Sequence, residues 1–435
     1  MTFAAAQGVE TRDAAGRVLK RHVAAAVAGN ALEFYDFVTY AYFAIPIGDA
    51  FFPNKSHFIS LILSLSTFGA GFLMRPLGAL LLGRYADRAG RRPAMILTLT
   101  LMGVAVLGLA LTPGYAQIGL AAPVFALAWR LLQGFALGGE TGPTTAYLIE
   151  AAAPEKRGLY AAWQPASQSV AFFVGGLVGL SVAHFGGSSG LATWGWRLAI
   201  GVGALILPFG IWLRRTLPET LHKPEEGPRT HPPRASVRDH LPIFLIAVGL
   251  IGAGTVGTYV LTYMTTYAIT TMHVPTEVSL SIPIFTGLTG FTCSLIGGWL
   301  TDRHGRKPFI VATRVALILL SGPIFWLIVR NHDAVTLIAA SALISVILNL
   351  GAAALYAGLV ESMHRELRGV GFSTVYALPV AILGGATQPF LAWLIHTTGD
   401  RMTPAWCMMA VNVVGLVAAL AFRESAHVRL VSQEV

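Results

Sequence analysis

Long runs of mostly apolar residues alternate along this chain with short polar loops. A helix that crosses the hydrocarbon core of a bilayer needs about 20 mainly apolar residues, and twelve such segments can be read. They lie near residues 22–50, 58–84, 93–113, 117–150, 158–185 and 194–213, and then near 240–271, 278–300, 308–329, 335–362, 369–397 and 404–422. Several exceed the minimum length, and the Gly and Pro inside them predict tilted or broken helices. The stretch from Arg214 to Arg238 is rich in Pro, His and charge and reads as a linker. The predicted organisation is a polar tail over 1–21, a six-helix bundle over 22–215, a linker over 216–239, a second six-helix bundle over 240–423 and a tail over 424–435. The fold class is an all-α membrane protein with two pseudo-symmetric halves.

Composition agrees. The chain has 435 residues, of which 54% are hydrophobic and 12% charged, with a mean hydropathy of +0.64. A soluble domain carries about 25% charged residues, and so much apolar sequence would leave large exposed patches in water. A formal net charge of +9 would suggest a nucleic-acid partner in a soluble protein, but its distribution argues otherwise. With twelve spans, only Lys55, Arg197, Arg330 and Arg401 fall on one side, and Arg75, Arg130 and Arg314 fall within spans. The rest of the 30 Lys and Arg gather on the side of the termini. The positive-inside rule then puts both termini in the cytoplasm, in a bacterial inner membrane, with lipid and not nucleic acid as partner. Residues 1–21 lack the short apolar core of a cleaved signal, so the first segment is expected to be retained. Cys293 and Cys407 lie in separate apolar segments and read as free buried thiols. No metal-ligand spacing, catalytic triad or phosphate-binding loop stands out, so neither an enzyme nor a metal or organic cofactor is expected.

The halves repeat. The run Gly83-Arg-Tyr-Ala-Asp87-Arg88-Ala-Gly90-Arg91-Arg92-Pro93 recurs, position for position, as Gly298-Trp-Leu-Thr-Asp302-Arg303-His-Gly305-Arg306-Lys307-Pro308. Glu150 followed by Arg157-Gly158 is echoed by Glu361 followed by Arg368-Gly369. The first of these runs resembles the signature loop of the major facilitator superfamily. Its chemistry suits a cytoplasmic latch built from Gly83, Asp87, Arg88, Gly90 and Arg91 with Glu150, mirrored by Asp302, Arg306 and Glu361. The Asp can sit at the positive N-terminus of a helix from the other half, and the Arg can pair with the Glu.

Further residues resemble the metabolite:proton symporter family within that superfamily. They are Gly29-Asn30-Ala-Leu-Glu33-Phe-Tyr-Asp36-Phe37, Phe72-Leu-Met-Arg75-Pro76, Arg130-Leu-Leu-Gln133-Gly134 with Gly138-Gly139-Glu140, and Trp194-Gly-Trp196-Arg197. The run Trp163-Gln164-Pro-Ala-Ser167-Gln168 and Thr398-Gly399-Asp400 are similar to citrate and tricarballylate proton symporters. The resemblance covers essentially the whole chain. It implies a proton-driven transporter in which segments 1, 4, 5, 7, 8, 10 and 11 line a central cavity.

An ionisable residue deep in a span costs at least ~2.5–3.5 kcal/mol and is by default a functional candidate. Asp36 lies roughly 21 Å along its helix from His22, near the midplane, and Glu33 is a neighbour on the same face. Asn30 and Tyr40 extend that polar stripe. Arg130 lies at similar depth in the fourth segment, sharing a face with Gln133, Glu140 and Thr144, and the fifth offers Tyr160, Gln164, Ser167 and Gln168. A carboxylate, Asp36 first and Glu33 as the alternative, is expected to exchange a proton as it pairs with and releases Arg130, while Glu140 is either a second proton site or a partner of Arg75. The freed guanidinium can then hold a substrate carboxylate bidentately. Arg75 either contacts substrate or snorkels. The second half offers neutral polar groups, best among them Tyr259, Asn349 and Gln388. Arg314, close to the start of its segment, is expected to snorkel.

These features predict a monomeric secondary transporter that couples protons to uptake of a small organic anion, such as citrate, tricarballylate or a related di- or tricarboxylate. A proton symporter of a zwitterionic osmolyte such as proline or betaine is the alternative within transport. A non-transporting membrane sensor is the alternative of another class.

Overall fold

Each apolar run forms a helix because the bilayer leaves backbone N–H and C=O groups no partners outside the chain. A computed structural model describes residues 20–89, 91–138, 148–149, 152–215, 237–362 and 376–425. The polar tail over 1–19, most of the linker, Gly90, Glu140, Thr144, Glu150 and Arg368-Gly369 lie outside the described residues, as do the side chains of Asp87 and Arg91.

The helices of the first half are α1 (Lys20–Tyr42), α2 (Ala44–Phe51), α3 (His57–Leu73), α4 (Arg75–Ala89), α5 (Arg91–Leu111), α6 (Tyr115–Ile118), α7 (Ala121–Gly138), α8 (Arg157–Ala161), α9 (Trp163–Gly190) and α10 (Trp196–Arg215). The second half has α11 (Val237–Thr270), α12 (Thr276–Ser279), α13 (Ile282–His304), α14 (Lys307–Asn331), α15 (Ala334–Glu361), α16 (Gly385–Thr398) and α17 (Thr403–Ala421). A π-helical turn, Val380–Gly384, leads into α16. Twelve rods result among the described residues, because α1 with α2, α3 with α4, and α8 with α9 are single spans with a break, and the four-residue helices α6 and α12 only lead into α7 and α13. The second break falls at Met74, just before Pro76, whose ring cannot continue the hydrogen-bond ladder but fits a first turn. Nine of the rods are individually long and apolar enough to cross a membrane among the described residues. The first is not one of them, because Asn30, Glu33 and Asp36 dilute its apolar character.

Two glycine seams hold the halves together. Along one, α9 packs on α13. A Cβ at Gly287 would lie 2.5 Å from the Phe173 nitrogen, and one at Gly298 would lie 2.7 Å from the Gly158 oxygen. Along the other, α3 meets α16, where a Cβ at Gly69 would lie 2.3 Å from the Gly385 oxygen. Apolar packing cannot drive association in lipid as it does in water, so close backbone approach through small residues supplies the dispersion contacts. Within the first half the same device joins α3 to α7, where a Cβ at Gly134 would fall on the Gly71 carbonyl.

At the end of the bundle that carries the repeated loops, a polar knot adds a cross-half contact. Asp302 accepts hydrogen bonds from the Gly158 and Leu159 backbone N–H groups at 2.7 and 2.9 Å. These belong to the first turn of α8, whose exposed donors favour a carboxylate. Arg306 pairs with Asp302 at 2.7 Å and with Glu361 at 3.3 Å. Burial disfavours the Arg306 charge, but Glu361 and Asp302 outweigh it and hold the guanidinium above its ordinary pKa. Glu424 accepts from the Arg306 and Lys307 backbone N–H groups at 2.9 and 3.1 Å, which caps α14. In Gly134→Ala the thermal unfolding midpoint in detergent should fall by several degrees. Gly201→Ala, where a Cβ meets nothing within 4 Å, should leave it unchanged or slightly raised.

Candidate functional site

The polar residues of the spans fall into two groups that share one side chain, Tyr259. The first is a layer of rings and guanidinium groups between α1, α3, α4, α7 and α11. Arg130 is 1% exposed and lies under Tyr40, Phe37 and Phe68, with ring centroids 4.5, 5.0 and 5.0 Å from its Cζ. Its Nη1 donates to the Gln133 side-chain Oε1, one turn along the same helix face. Its Nε and Nη2 have no partner among the described residues. Arg75 is 4% exposed and stacks over Phe72 at 4.2 Å and Phe37 at 4.9 Å. Tyr259 lies within hydrogen-bonding reach of it, and the Arg75 Nε and Nη2 are otherwise unpartnered. Arg75 therefore does not snorkel: the break at Met74 and the Phe72 ring turn it into the bundle.

Asp36 is buried beside this layer, and its Oδ2 has no hydrogen-bond partner among the described residues. It lies close enough to Arg130 for their charges to interact, yet the two form no direct ion pair among the described residues. Gly203 of α10 packs against the Asp36 side chain, whereas Arg130 is drawn under the aromatic rings and toward Gln133. Glu33 is also buried on α1.

Other expected binding groups bind one another. The Asn30 amide donates to Ser167 Oγ at 2.6 Å and to the Gln164 backbone oxygen at 3.3 Å, while Gln164 Nε2 donates back to Asn30 Oδ1 at 3.2 Å. This exchange ties α1 to α9. Tyr40 donates to the Ser64 carbonyl at 3.2 Å. Gln388 is fully buried on α16, and neither its amide oxygen nor its amide nitrogen has a partner among the described residues.

The second group surrounds a cavity of about 80 Å³ between the halves, room for only a few waters. Gln168, Tyr259, Asn349, Tyr356 and Arg314 contribute to its wall. Asn349 is held by Ser294, which donates to its Oδ1 at 3.0 Å, and by its own donation to the Ser345 oxygen at 2.9 Å. The Gln168 nitrogen is buried and unpartnered.

Arg314 overturns the expectation that it snorkels. It is 6% exposed, donates to Asn412 Oδ1 at 2.9 Å and to the Leu250 oxygen at 3.3 Å, and keeps its Nε unpartnered. Gly254 and Gly415 on neighbouring helices make room for it, since a Cβ at Gly415 would lie 3.3 Å from Arg314 Cδ. Its short distance in sequence from Lys307 hid this placement. Only Asn412, a lone amide in the last apolar segment, hinted at a buried partner. Asn412→Leu removes an acceptor from a buried charge, so stability should drop by about 1.5–3 kcal/mol. A thermal unfolding midpoint several degrees below that of the unaltered protein would register the loss.

Comparison with known proteins agrees with this architecture. Residues 29–378 match the model of the Major Facilitator Superfamily. The chain is 37% identical over 393 residues to a citrate-proton symporter of Salmonella typhi, covering 90% of this chain and 91% of that protein. It is 30% identical over 424 residues to a proline/betaine transporter of Salmonella typhimurium, covering 94% and 84%. In fold it is similar to the proton:xylose symporter XylE, with a TM-score of 0.70 at 16% identity, over 92% of this chain and 94% of that one. With twelve helical rods, two seamed halves and these matches, the chain belongs to the Major Facilitator Superfamily and is a multi-pass membrane transporter, not an enzyme.

Proposed function

We propose that this transporter couples proton entry to uptake of a small organic anion, citrate, tricarballylate or a related di- or tricarboxylate. It would act as a monomer in a bacterial inner membrane, with both termini in the cytoplasm and the proton gradient as its energy source. One observation carries this reading. Arg75 and Arg130 are buried with guanidinium nitrogens unpartnered and no carboxylate directly paired to them among the described residues. Cation–π contact is worth about 0.5–2 kcal/mol, well short of the several kcal/mol that burying an ion costs. A bound substrate carboxylate would supply the missing charge and bidentate hydrogen bonds.

Asp36 is the proposed proton carrier. While ionised, it competes with substrate for the field of Arg130. Once protonated, it leaves Arg130 free to attract an anion, so proton and substrate travel together. Alternating access would rock the halves about this midplane layer, with Asp302, Arg306 and Glu361 holding the cytoplasmic end closed in one state. The zwitterion alternative is favoured by the proline/betaine relative and by the cluster of Phe37, Phe68, Phe72 and Tyr259. Against it, the ring faces that a substrate ammonium would need are occupied by the protein's own guanidinium groups.

Proteoliposomes under an imposed pH gradient test the reading with labelled citrate, tricarballylate, succinate and proline. Carboxylates should accumulate, and accumulation of proline alone would overturn the anion reading. Asp36→Asn should abolish uphill uptake while citrate exchange survives; proton-driven accumulation in that variant would rule out Asp36. Arg130→Gln should lower kcat/KM for citrate by about 100-fold or more, the low end of what breaking a buried charge pair costs. Asp302→Asn should slow uptake several-fold at equal membrane abundance, and an unchanged rate would exclude the gate contact from the transport cycle.

A further inference from the structure

We infer that Arg314 is a second carboxylate subsite, supplied by the C-terminal half. A substrate with two carboxylates would then be gripped between Arg314 and Arg75 of the N-terminal half. The inference rests on the organic-anion reading above and deepens it.

Three observations lead there. First, among the described residues, Arg314 is the only charged side chain on the wall of the central cavity. Its two hydrogen bonds go to neutral acceptors, Asn412 Oδ1 and the Leu250 carbonyl, and its Nε is buried and unused. No carboxylate pairs with it, so its charge lacks a counter-ion among the described residues. Second, the guanidinium is held in place before any ligand arrives. Asn412 donates its own amide to the Met408 oxygen at 2.8 Å, which fixes its oxygen toward Arg314. Third, Tyr259 and Tyr376 line the same cavity and both interact with Arg75. Tyr356, tilted toward Tyr376 with ring centroids 6.4 Å apart, shares the cavity wall with Arg314 and lies close enough for the two to interact electrostatically. A screen of phenols therefore separates one unneutralised guanidinium from each half.

The chemistry selects the ligand class. A monocarboxylate can neutralise one end of this arrangement. A di- or tricarboxylate can neutralise both, with hydroxyl and amide groups of Thr255, Thr258, Gln168 and Asn349 left for its remaining oxygens. Gripping both halves at once would also favour a closed state only when such a substrate is bound, because differential contact alone shifts a conformational equilibrium.

The test uses the full chain, with citrate as probe, read as uptake KM in proteoliposomes and as the citrate-induced rise of the unfolding midpoint in detergent. Arg314→Gln should raise the citrate KM at least tenfold and abolish the citrate-induced shift. If Arg314→Gln fails to fold, Arg314→Lys should fold and lose at least half of the citrate-induced shift, since an ammonium cannot hold a carboxylate bidentately. A citrate KM within threefold for Arg314→Gln, or a full shift for Arg314→Lys, would each overturn the subsite while anion transport stands. Failure of the unaltered protein to bind any carboxylate would overturn the anion reading and this inference with it.

Discussion

Positive charge buried without a matching negative charge is the constraint on which the rest of this molecule depends. Arg75, Arg130 and Arg314 sit inside the spans, almost wholly removed from solvent, with no carboxylate in direct contact among the described residues. Ring faces of Phe37, Tyr40, Phe68 and Phe72 and amides of Gln133 and Asn412 soften that cost. Neutral partners cannot remove it, since they offer dipoles where a charge is required. The surrounding helices hold that unsatisfied arrangement in place.

Rigidity comes from close backbone approach. The seam of α9 on α13 and the meeting of Gly69 with Gly385 bring main chains together at distances no Cβ would allow. At the end with the repeated loops, the contact is polar and directional. Asp302 reaches the first turn of α8 in the other half, and Arg306 ties it to Glu361. Ser425 also donates to Glu361 at 3.0 Å, so the segment after α17 joins the same knot. Glycine seams and an ionic knot respond to different influences, one to packing and the other to charge.

Much of this was legible in the residues. The apolar runs located the helices, and the Asp302-Arg303-His-Gly305-Arg306 run foretold a carboxylate on a partner helix end, since that chemistry is local and its partners are backbone groups. The depth of Arg130 and Asp36 followed from their distance along a helix. Their relation to each other did not follow. Whether Arg130 turns toward Asp36 or under Tyr40 and Phe68 depends on how α1, α3 and α7 are rotated, and single-helix periodicity carries no such information. Asn30 and Gln164 illustrate the same point, because two amides that each looked free for substrate are bonded to each other across α1 and α9, with the Gln164 amide oxygen left unpartnered among the described residues.

The sequence by itself determined that the chain lives in a bilayer, that it crosses twelve times, that its halves repeat, and that charge persists at mid-depth. Those properties follow from transfer free energies and helix rise, which act residue by residue. Tertiary structure alone decided which buried charges face rings, which face a cavity, and that Arg314 is one of them. Glycines at 254 and 415 and an amide at 412, on two other helices, open the space that keeps its guanidinium from the membrane surface. Such a decision needs three helices at once, because the free energy of a buried ion is set by what surrounds it.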